Sequence, residues 1–188
     1  AEVCEENRLH LKLCFHLSTI ANIHWDRGNT EECLARYEQM ADVSRGVNYA
    51  EGLAMATRRL AELLLSLDRR EGALPYLEEN VLLSEQLHGG ASKARSLTQI
   101  AEIHEHAGRH AEAARAWQAV QSLRRDTRDL SGEVEAHAGL ARVARAHDGA
   151  AALAHYQDAI AIANGLGDQA KQADLLNSMA IIEWRDGN

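Results

Sequence analysis

The chain has 188 residues, of which 46% are hydrophobic, and its formal net charge is −8. The apolar content is enough for a hydrophobic core and excludes a disordered chain, while the acidic balance argues against nucleic-acid binding, which depends on Lys and Arg at phosphates. No window approaches the roughly 18 uncharged apolar residues of a membrane-spanning helix, since even the most apolar segment, 60–67, contains Glu62.

Helix breakers are rare in this sequence. It has one Pro and 13 Gly, so long helices are expected throughout. The predicted helices, in chain order, are 7–26, 31–45, 50–67, 71–87, 92–107, 110–125, 131–147, 150–164 and 169–186. Pro75 lies inside the fourth, which is therefore predicted to start late, near Gly72, or to kink in its first turn. Positive φ angles are predicted at the joints between helix pairs, at the glycines 46, 89–90, 132 and 165/167.

A large apolar residue followed by alanine recurs at a nearly fixed interval. The alanines are Ala21, Ala61, Ala101, Ala141 and Ala180, at spacings of 40, 40, 40 and 39 residues. A small residue follows 12 positions later, or 11 in the fourth repeat, which predicts a turn one residue shorter near Asp148. These small residues, and the bulky ones four positions after them, are Cys33/Tyr37, Ala73/Leu77, Ala113/Trp117 and Ala152/Tyr156. The pattern predicts one antiparallel helix pair per repeat, and a coiled coil is excluded because turn residues interrupt any heptad seam.

These residues resemble the tetratricopeptide repeat family, whose unit carries a large-apolar/small pair in its first helix, a turn glycine, and small-xxx-aromatic in its second. The 40-residue interval and segments such as 23–29 and 167–169 are similar to a longer-repeat subclass. That subclass occurs in Pins-type scaffolds and in the sensor regions of bacterial transcriptional regulators and signalling ATPases. The resemblance implies an all-α fold, a right-handed superhelix (α-solenoid) of stacked antiparallel helix pairs with about nine helices.

The resemblance covers nearly the whole chain, as one array over 1–188. The predicted repeats are 7–46, 47–89, 90–129, 130–167 and the first helix of a fifth, 168–188. The chain is expected to be an excerpt of a longer protein, since it begins without Met and stops at a turn. Cysteines at 4, 14 and 33 form no CxxC pair and no signal-peptide pattern is visible, so a cytoplasmic location is predicted.

No catalytic or metal-binding motif stands out. The densest histidine run, 104–110, is not HExxH, and the turn at Gly108 separates His106 from His110. His24 and His104 occupy equivalent repeat positions and are predicted to be packed, neutral imidazoles. The chain has no GxSxG elbow, phosphate loop or GxGxxG. The sequence therefore predicts a protein that is not an enzyme, with no cofactor and no metal site.

The predicted binding surface is the concave wall formed by the first helices of the repeats. Positions −6, −3, +1 and +4 relative to the repeat alanine point away from the core, a rule that includes Glu105. The predicted peptide-binding residues are Asn22, Trp25, Arg58, Glu62, Arg95, Thr98, Glu102, Arg142, Arg145 and Asn177. The arginines are suited to contacts with ligand carboxylates. The alternative is that pairs such as Arg58/Glu62 only stabilise their own helix. The basic segment 124–128 is either a solvated loop or a docking patch for an acidic segment.

The function predicted first is a protein–protein interaction module that binds a peptide or helical segment in its groove. One alternative is a sensor or autoinhibitory arm of a cytoplasmic signalling or transcriptional regulator. Another is a structural module that oligomerises through incomplete terminal repeats. The expected partner is a protein or peptide, with no nucleic acid bound by this segment and no membrane.

Overall fold

A computed structural model describes the backbone of residues 2–186 and the side chains of residues 9–184. Within these ranges the chain forms nine helices and no strand, which confirms the all-α prediction. The helices are α1 (Glu2–Asp26), α2 (Thr30–Gly46), α3 (Ala50–Ser66), α4 (Arg70–Gln86), α5 (Gly90–His106), α6 (His110–Asp126), α7 (Leu130–Ala144), α8 (Gly149–Leu166) and α9 (Gln169–Asp186). Among the residues described, no helix combines the length and apolar character needed to cross a membrane.

The chain divides into two compact halves, Ala1–Ser96 (the N-half) and Leu97–Asn188 (the C-half). In the N-half, α2 packs between α1 and α3, α3 packs against α4, and α1 also contacts α3. In the C-half, α7 packs against α6 and α8, and α8 packs against α9. Helix α5 contributes its first part to the N-half and the remainder to the C-half. Each half thus contains the successive helix pairs that the sequence predicts.

The loops from α1 to α7 repeat with a period of 20 residues. Each has three residues, and the second has a φ between 52° and 75°. The third donates its backbone N–H to the carbonyl five residues back, as from Asn29 to His24 at 2.9 Å. This is the hydrogen bond of a Schellman motif, which satisfies a carbonyl at the helix C-terminus. The residues with positive φ are Gly28, Asn48, Asp68, His88, Gly108 and Arg128.

The predicted joint glycines are wrong at all positions but one. Of the predicted glycines 46, 89, 90, 132, 165 and 167, only Gly167 has a positive φ, of 71°. The Schellman hydrogen bonds fix the left-handed position at a set distance from the helix end, so residues such as Asn48 and Arg128 occupy it instead. Gly132 lies inside α7, where an added Cβ would come within 2.5 Å of the Arg124 side chain. That glycine is needed for close packing.

Helix ends differ from the prediction at three places. Helix α4 begins at Arg70 and includes Pro75, so the late start near Gly72 is wrong. The preceding loop decides this start, because Arg69 N–H is bonded to the carbonyl of Leu64 at 2.8 Å. Helix α7 ends at Ala144, before a four-residue loop, so the missing residue shortens the helix and not the turn. Helix α1 begins at Glu2, earlier than predicted.

The repeat residues form the core, as predicted. The first four repeat alanines are at most 1% exposed, and the small and bulky residues of the second helices are at most 3% exposed. Ala180, by contrast, is exposed. In the part of the chain that the structure describes, no helix follows α9 to cover it.

A buried polar network lies in the N-half around Asn80 of α4. Its amide nitrogen donates to the carbonyl of Ala54 at 2.8 Å and to the Thr57 hydroxyl at 3.1 Å. Its amide oxygen accepts from the hydroxyls of Ser92 and Ser96, each at 3.1 Å. Asn80 is 1% exposed, so these bonds offset the cost of burying the amide. They connect α4 to α3 and to the first part of α5.

Candidate binding clefts

The N-half contains one cleft on the predicted binding face, called the N-cleft below, with a volume of about 200 Å³. Asn22 and Trp25 occupy positions +1 and +4 of the first repeat, and Glu62 occupies position +1 of the second. Trp25 is 41% exposed. The complete lining is Asn22, Trp25, Cys33, Tyr37, Arg59, Glu62, Leu63 and Ser66.

A hydrogen bond inside the N-cleft uses part of Asn22. The buried Tyr37 hydroxyl donates to Asn22 Oδ1 at 2.8 Å. Burial raises the pKa of Tyr37, which keeps the phenol protonated as a donor at neutral pH. The amide nitrogen of Asn22 is left to donate hydrogen bonds to a ligand, while the oxygen already accepts one.

The C-half contains a larger and more charged cleft on the same helix face, called the C-cleft below, of about 570 Å³. Glu102 and Glu105 occupy positions +1 and +4 of the third repeat, and Arg142 and Arg145 occupy those of the fourth. The complete lining is Glu102, Glu105, His106, His110, Arg142, Arg145 and Ala146. The +1 and +4 residues of two successive first helices thus meet in the C-cleft, whereas in the N-cleft Leu65, at +4 of the second repeat, is not part of the lining.

Arg142 is already paired inside the C-cleft. Its Nε and Nη2 donate to the two carboxylate oxygens of Glu105 at 2.7 and 3.1 Å. Its guanidinium carbon also lies 5.6 Å from the centre of the buried Trp117 ring, a cation–π distance. Glu105 therefore holds the position that a ligand carboxylate would take, and ligand binding by Arg142 stays a prediction.

Glu102 lies in an acidic environment. Partial burial and the charge of Glu135 raise the pKa of Glu102, with Glu105 adding to the effect and Arg142 opposing it. Among the residues that the structure describes, Glu102 has no ion-pair partner, whereas Glu105 is held by Arg142. The C-cleft therefore has carboxylate charge that a cationic group would stabilise.

The other predicted residues are distributed unevenly. Arg58 pairs with Glu62 four residues later at 3.1 Å, the contact expected of a pair that stabilises its own helix. The hydroxyl of Thr98 is buried, so this group does not face a ligand in the structure. Arg95 and Asn177 are exposed but line neither cleft.

The basic segment 124–128 is largely neutralised by its own neighbours. Arg124 donates to Asp129 at 2.5 Å, and Arg125 donates to Glu133 at 3.0 Å. These pairs favour a local structural role over a docking patch.

The two histidines predicted to be packed are half-buried in the structure. His104 is half-buried and accepts from Arg109 Nε at 2.8 Å, and His24 is also half-buried. Cys33 is buried in the core, and burial raises the pKa of its thiol. The Cys4 side chain lies outside the described residues.

Sequence reasoning missed a group of side chains on the second-helix side of the fourth repeat. His137 of α7 lies beside His155 and Asp158 of α8, and their ligand atoms are all within 4.8 Å of one another. One signal was visible, since His155 and Asp158 are three residues apart on one helix and so share a face. The third member, His137, lies on another helix, and the densest histidine run, 104–110, contains none of the three residues.

Solved structures share this arrangement of helices. Aspartyl phosphate phosphatase F from Bacillus subtilis is 12% identical over 93% of this chain, with a TM-score of 0.69. A Rap protein complexed with competence and sporulation factor is 12% identical over 93% of the chain, with a TM-score of 0.62. The TPR-like repeats of a putative kinesin light chain from Podosopora anserina are 15% identical over 91% of the chain, with a TM-score of 0.61. The fold is a tetratricopeptide-type repeat.

This tetratricopeptide-type chain spans 45% of the phosphatase, 49% of the Rap protein and 94% of the kinesin light chain repeats. No protein-family model matches the sequence, and a comparison with curated proteins finds no match. The similarity is therefore one of fold. Within that fold, the N-cleft and the C-cleft lie on the first helices of the repeats.

Proposed function

We propose that this protein is an interaction module that binds segments of other proteins in the N-cleft and in the C-cleft. The observation that carries this proposal is that the same repeat positions, +1 and +4, line a cleft in each half. The similar Rap protein was solved in complex with a factor, which supports ligand binding by this fold. Tetratricopeptide-type neighbours in general support an interaction or regulatory role.

The chemistry of the C-cleft favours a basic side chain. Glu102 has no ion-pair partner among the described residues and lies near Glu135, which raises its pKa. A ligand Lys or Arg that pairs with Glu102 opposes this rise in pKa and gains Coulomb energy from the carboxylate. The bound segment is therefore proposed to carry a basic residue.

The chemistry of the N-cleft favours an apolar or aromatic side chain. The Trp25 ring and Leu63 provide apolar surface beside the Tyr37 ring. The amide nitrogen of Asn22 lies at the edge of the cleft and can donate to a backbone carbonyl of the ligand. This combination of an apolar pocket and a backbone contact is typical of peptide recognition.

The proposal is tested by screening the purified chain against a peptide library and measuring the affinity of retained peptides by fluorescence anisotropy. We expect Glu102→Gln to weaken the binding of basic peptides at least tenfold, and added salt to weaken it further. We expect Trp25→Ala to weaken binding by a similar factor. The matched controls are Glu78→Gln and Trp184→Ala, at exposed positions outside both clefts. Equal affinity of the cleft variants and the controls would contradict the proposal.

A regulatory arm is the second candidate function. The chain spans less than half of the matched phosphatase and of the Rap protein, both of which contain further sequence beside the region of similar fold. In this function the N-cleft and C-cleft hold a segment of the same polypeptide. Adding the isolated array to its full-length protein should then change the activity of the full-length protein, and no change would argue for an external partner.

A structural role in oligomerisation is favoured by exposed apolar side chains on α1 and α9. Phe15 is 67% exposed and Trp184 is 84% exposed. Sedimentation equilibrium of the wild type and of Phe15→Ser and Trp184→Ser tests this role. A dimer that both substitutions disrupt would support it, and a wild-type monomer at all concentrations would reject it.

A further inference from the structure

The C-half holds a cluster of nitrogen and oxygen ligand atoms outside the C-cleft. His137 Nδ1 lies 3.3 Å from His155 Nδ1 and 3.7 Å from Asp158 Oδ2. His137 is 4% exposed, His155 is half-buried and Asp158 is exposed. The cluster therefore has a buried end on α7 and an end on α8 that opens to solvent.

The distances fit tetrahedral coordination. A metal–nitrogen bond of about 2.0–2.1 Å, as found for zinc, places two tetrahedral imidazole ligands about 3.3–3.4 Å apart. The two Nδ1 atoms are at this separation. The carboxylate oxygen of Asp158 needs only a small side-chain movement to complete a third ligand position. Solvent at the open end supplies the fourth.

The His137 ring is held from its other side. Its Nε2 lies 2.9 Å from the side-chain amide of Gln121 on α6. The nearest amide atom is Nε2 of Gln121, which donates to the ring. Metal binding through His137 Nδ1 requires the proton on Nε2, so the Gln121 amide must turn to present its oxygen as the acceptor. A hydrogen bond on the nitrogen away from the metal is the usual support of a metal-bound histidine.

Charged groups of both signs lie around the cluster. The acidic side chains near His137 are Asp158 and Glu133, whose charge favours a bound cation. The cation on the neighbouring helix α6, Arg125, is paired with Glu133 at 2.9 Å, so its charge is largely compensated.

We propose that His137, His155 and Asp158 bind one divalent transition-metal ion of borderline softness, for which zinc is the representative. Two imidazoles and one carboxylate are the donor set that such ions favour. The bound ion connects α7 to α8 and stabilises that helix pair by mass action, since the unfolded chain does not preform the site. This proposal does not depend on the proposed function, because no residue of the cluster lines the N-cleft or the C-cleft.

The test uses the full chain without an affinity tag, freed of metal by chelation. Zinc binding is measured by calorimetry with a competing chelator, and cobalt binding by its visible spectrum, which is intense for tetrahedral coordination. We expect the wild type to bind one equivalent of zinc. His155→Ala should abolish this binding, and Asp158→Asn should weaken the zinc affinity at least tenfold. Zinc should also raise the Tm of the wild type and not that of His155→Ala.

The control variant is His106→Ala, which removes a histidine that lines the C-cleft and lies outside the cluster. It should bind zinc as the wild type does, while far-ultraviolet circular dichroism shows that every variant keeps its helices. If the wild type binds no zinc, or if His155→Ala and Asp158→Asn bind it as tightly as His106→Ala, the proposal is wrong.

Discussion

The N-cleft and the C-cleft are built from the same repeat positions but differ in chemistry. In each, the bulky residue of a second helix contacts a +1 residue of a first helix. In the N-cleft the Tyr37 hydroxyl bonds to Asn22, and both groups are neutral. In the C-cleft the Trp117 ring lies under Arg142, which is itself paired with Glu105. Tyr37 contacts the +1 residue of its own repeat, whereas Trp117 contacts that of the next repeat. The comparison shows that the residue types at equivalent positions set both which side chains pair and the chemistry of the surface.

The largest expected effect is the loss of the aromatic ring below the C-cleft. Trp117 is fully buried, and Gly139 makes room for it, since an added Cβ there would lie 2.2 Å from the ring. Trp117→Ala should lower the free energy of unfolding by about 3–5 kcal/mol, as measured by urea denaturation. Trp184→Ala, at an 84% exposed residue, is the control and should change it by less than about 0.5 kcal/mol. Equal losses would mean that the ring below the C-cleft does not pack as described.

The buried amide of the N-half should have the next largest effect. Asn80→Ala leaves the buried hydroxyl of Ser96 without its acceptor, so the free energy of unfolding should fall by about 1–3 kcal/mol. The same measurement on Asn177→Ala, at an exposed position, provides the control. A loss no greater than that of the control would show that the network does not stabilise the N-half.

The hydroxyl in the N-cleft should contribute less. Tyr37→Phe keeps the ring and removes only the bond to Asn22, so a loss of about 0.5–1.5 kcal/mol is expected. Tyr76→Phe removes a longer, exposed bond to Glu38 at 3.2 Å and should cost less. The comparison between the two clefts predicts that Tyr37→Phe, which changes no charge, leaves the salt dependence of stability unaltered. A changed salt dependence would contradict it.

The smallest expected effect is on the pH dependence of stability, through Glu102 in the C-cleft. The pKa of Glu102 is raised in the folded state, so the unfolded chain releases this proton more readily. Stability is therefore lost as the pH rises from the ordinary carboxyl pKa through the raised value, and regained as the pH falls. Glu102→Gln should be more stable than the wild type at neutral pH and equally stable in acid. Urea denaturation at both pH values measures this, and an identical difference at the two values would refute the assignment.

The sequence predicts the repeat core well because burial follows helical periodicity. Ala61 and Ala101 are buried as expected, and the +1 and +4 positions reach a common cleft in each half. The pairing of Arg142 with Glu105 was beyond sequence reasoning, since the partners lie 37 residues apart on different helices. The positive φ at His88 follows from loop hydrogen bonding and not from residue type.

The missed histidine cluster and the start of α4 have a related explanation. The separation of His137 from His155 depends on the register between α7 and α8, where the fourth repeat lacks a residue. No periodic pattern carries that register. Pro75 is tolerated because the preceding loop, through Arg69, sets where the helix begins. The helix-breaking tendency of Pro75 therefore does not determine the start of α4, because the backbone hydrogen bond of the loop does.

The 20-residue spacing of the left-handed loop residues has a consequence for how such a chain changes length. A block running from Ala50 to Gly89 contains one complete hairpin, with a full loop at its end. Gene duplication or deletion of this block would join identical loop geometries and leave every flanking helix cap intact. The four-residue loop ending at Asp148, where φ is −147°, breaks this 20-residue spacing. Recombination across that loop would join two different loop geometries.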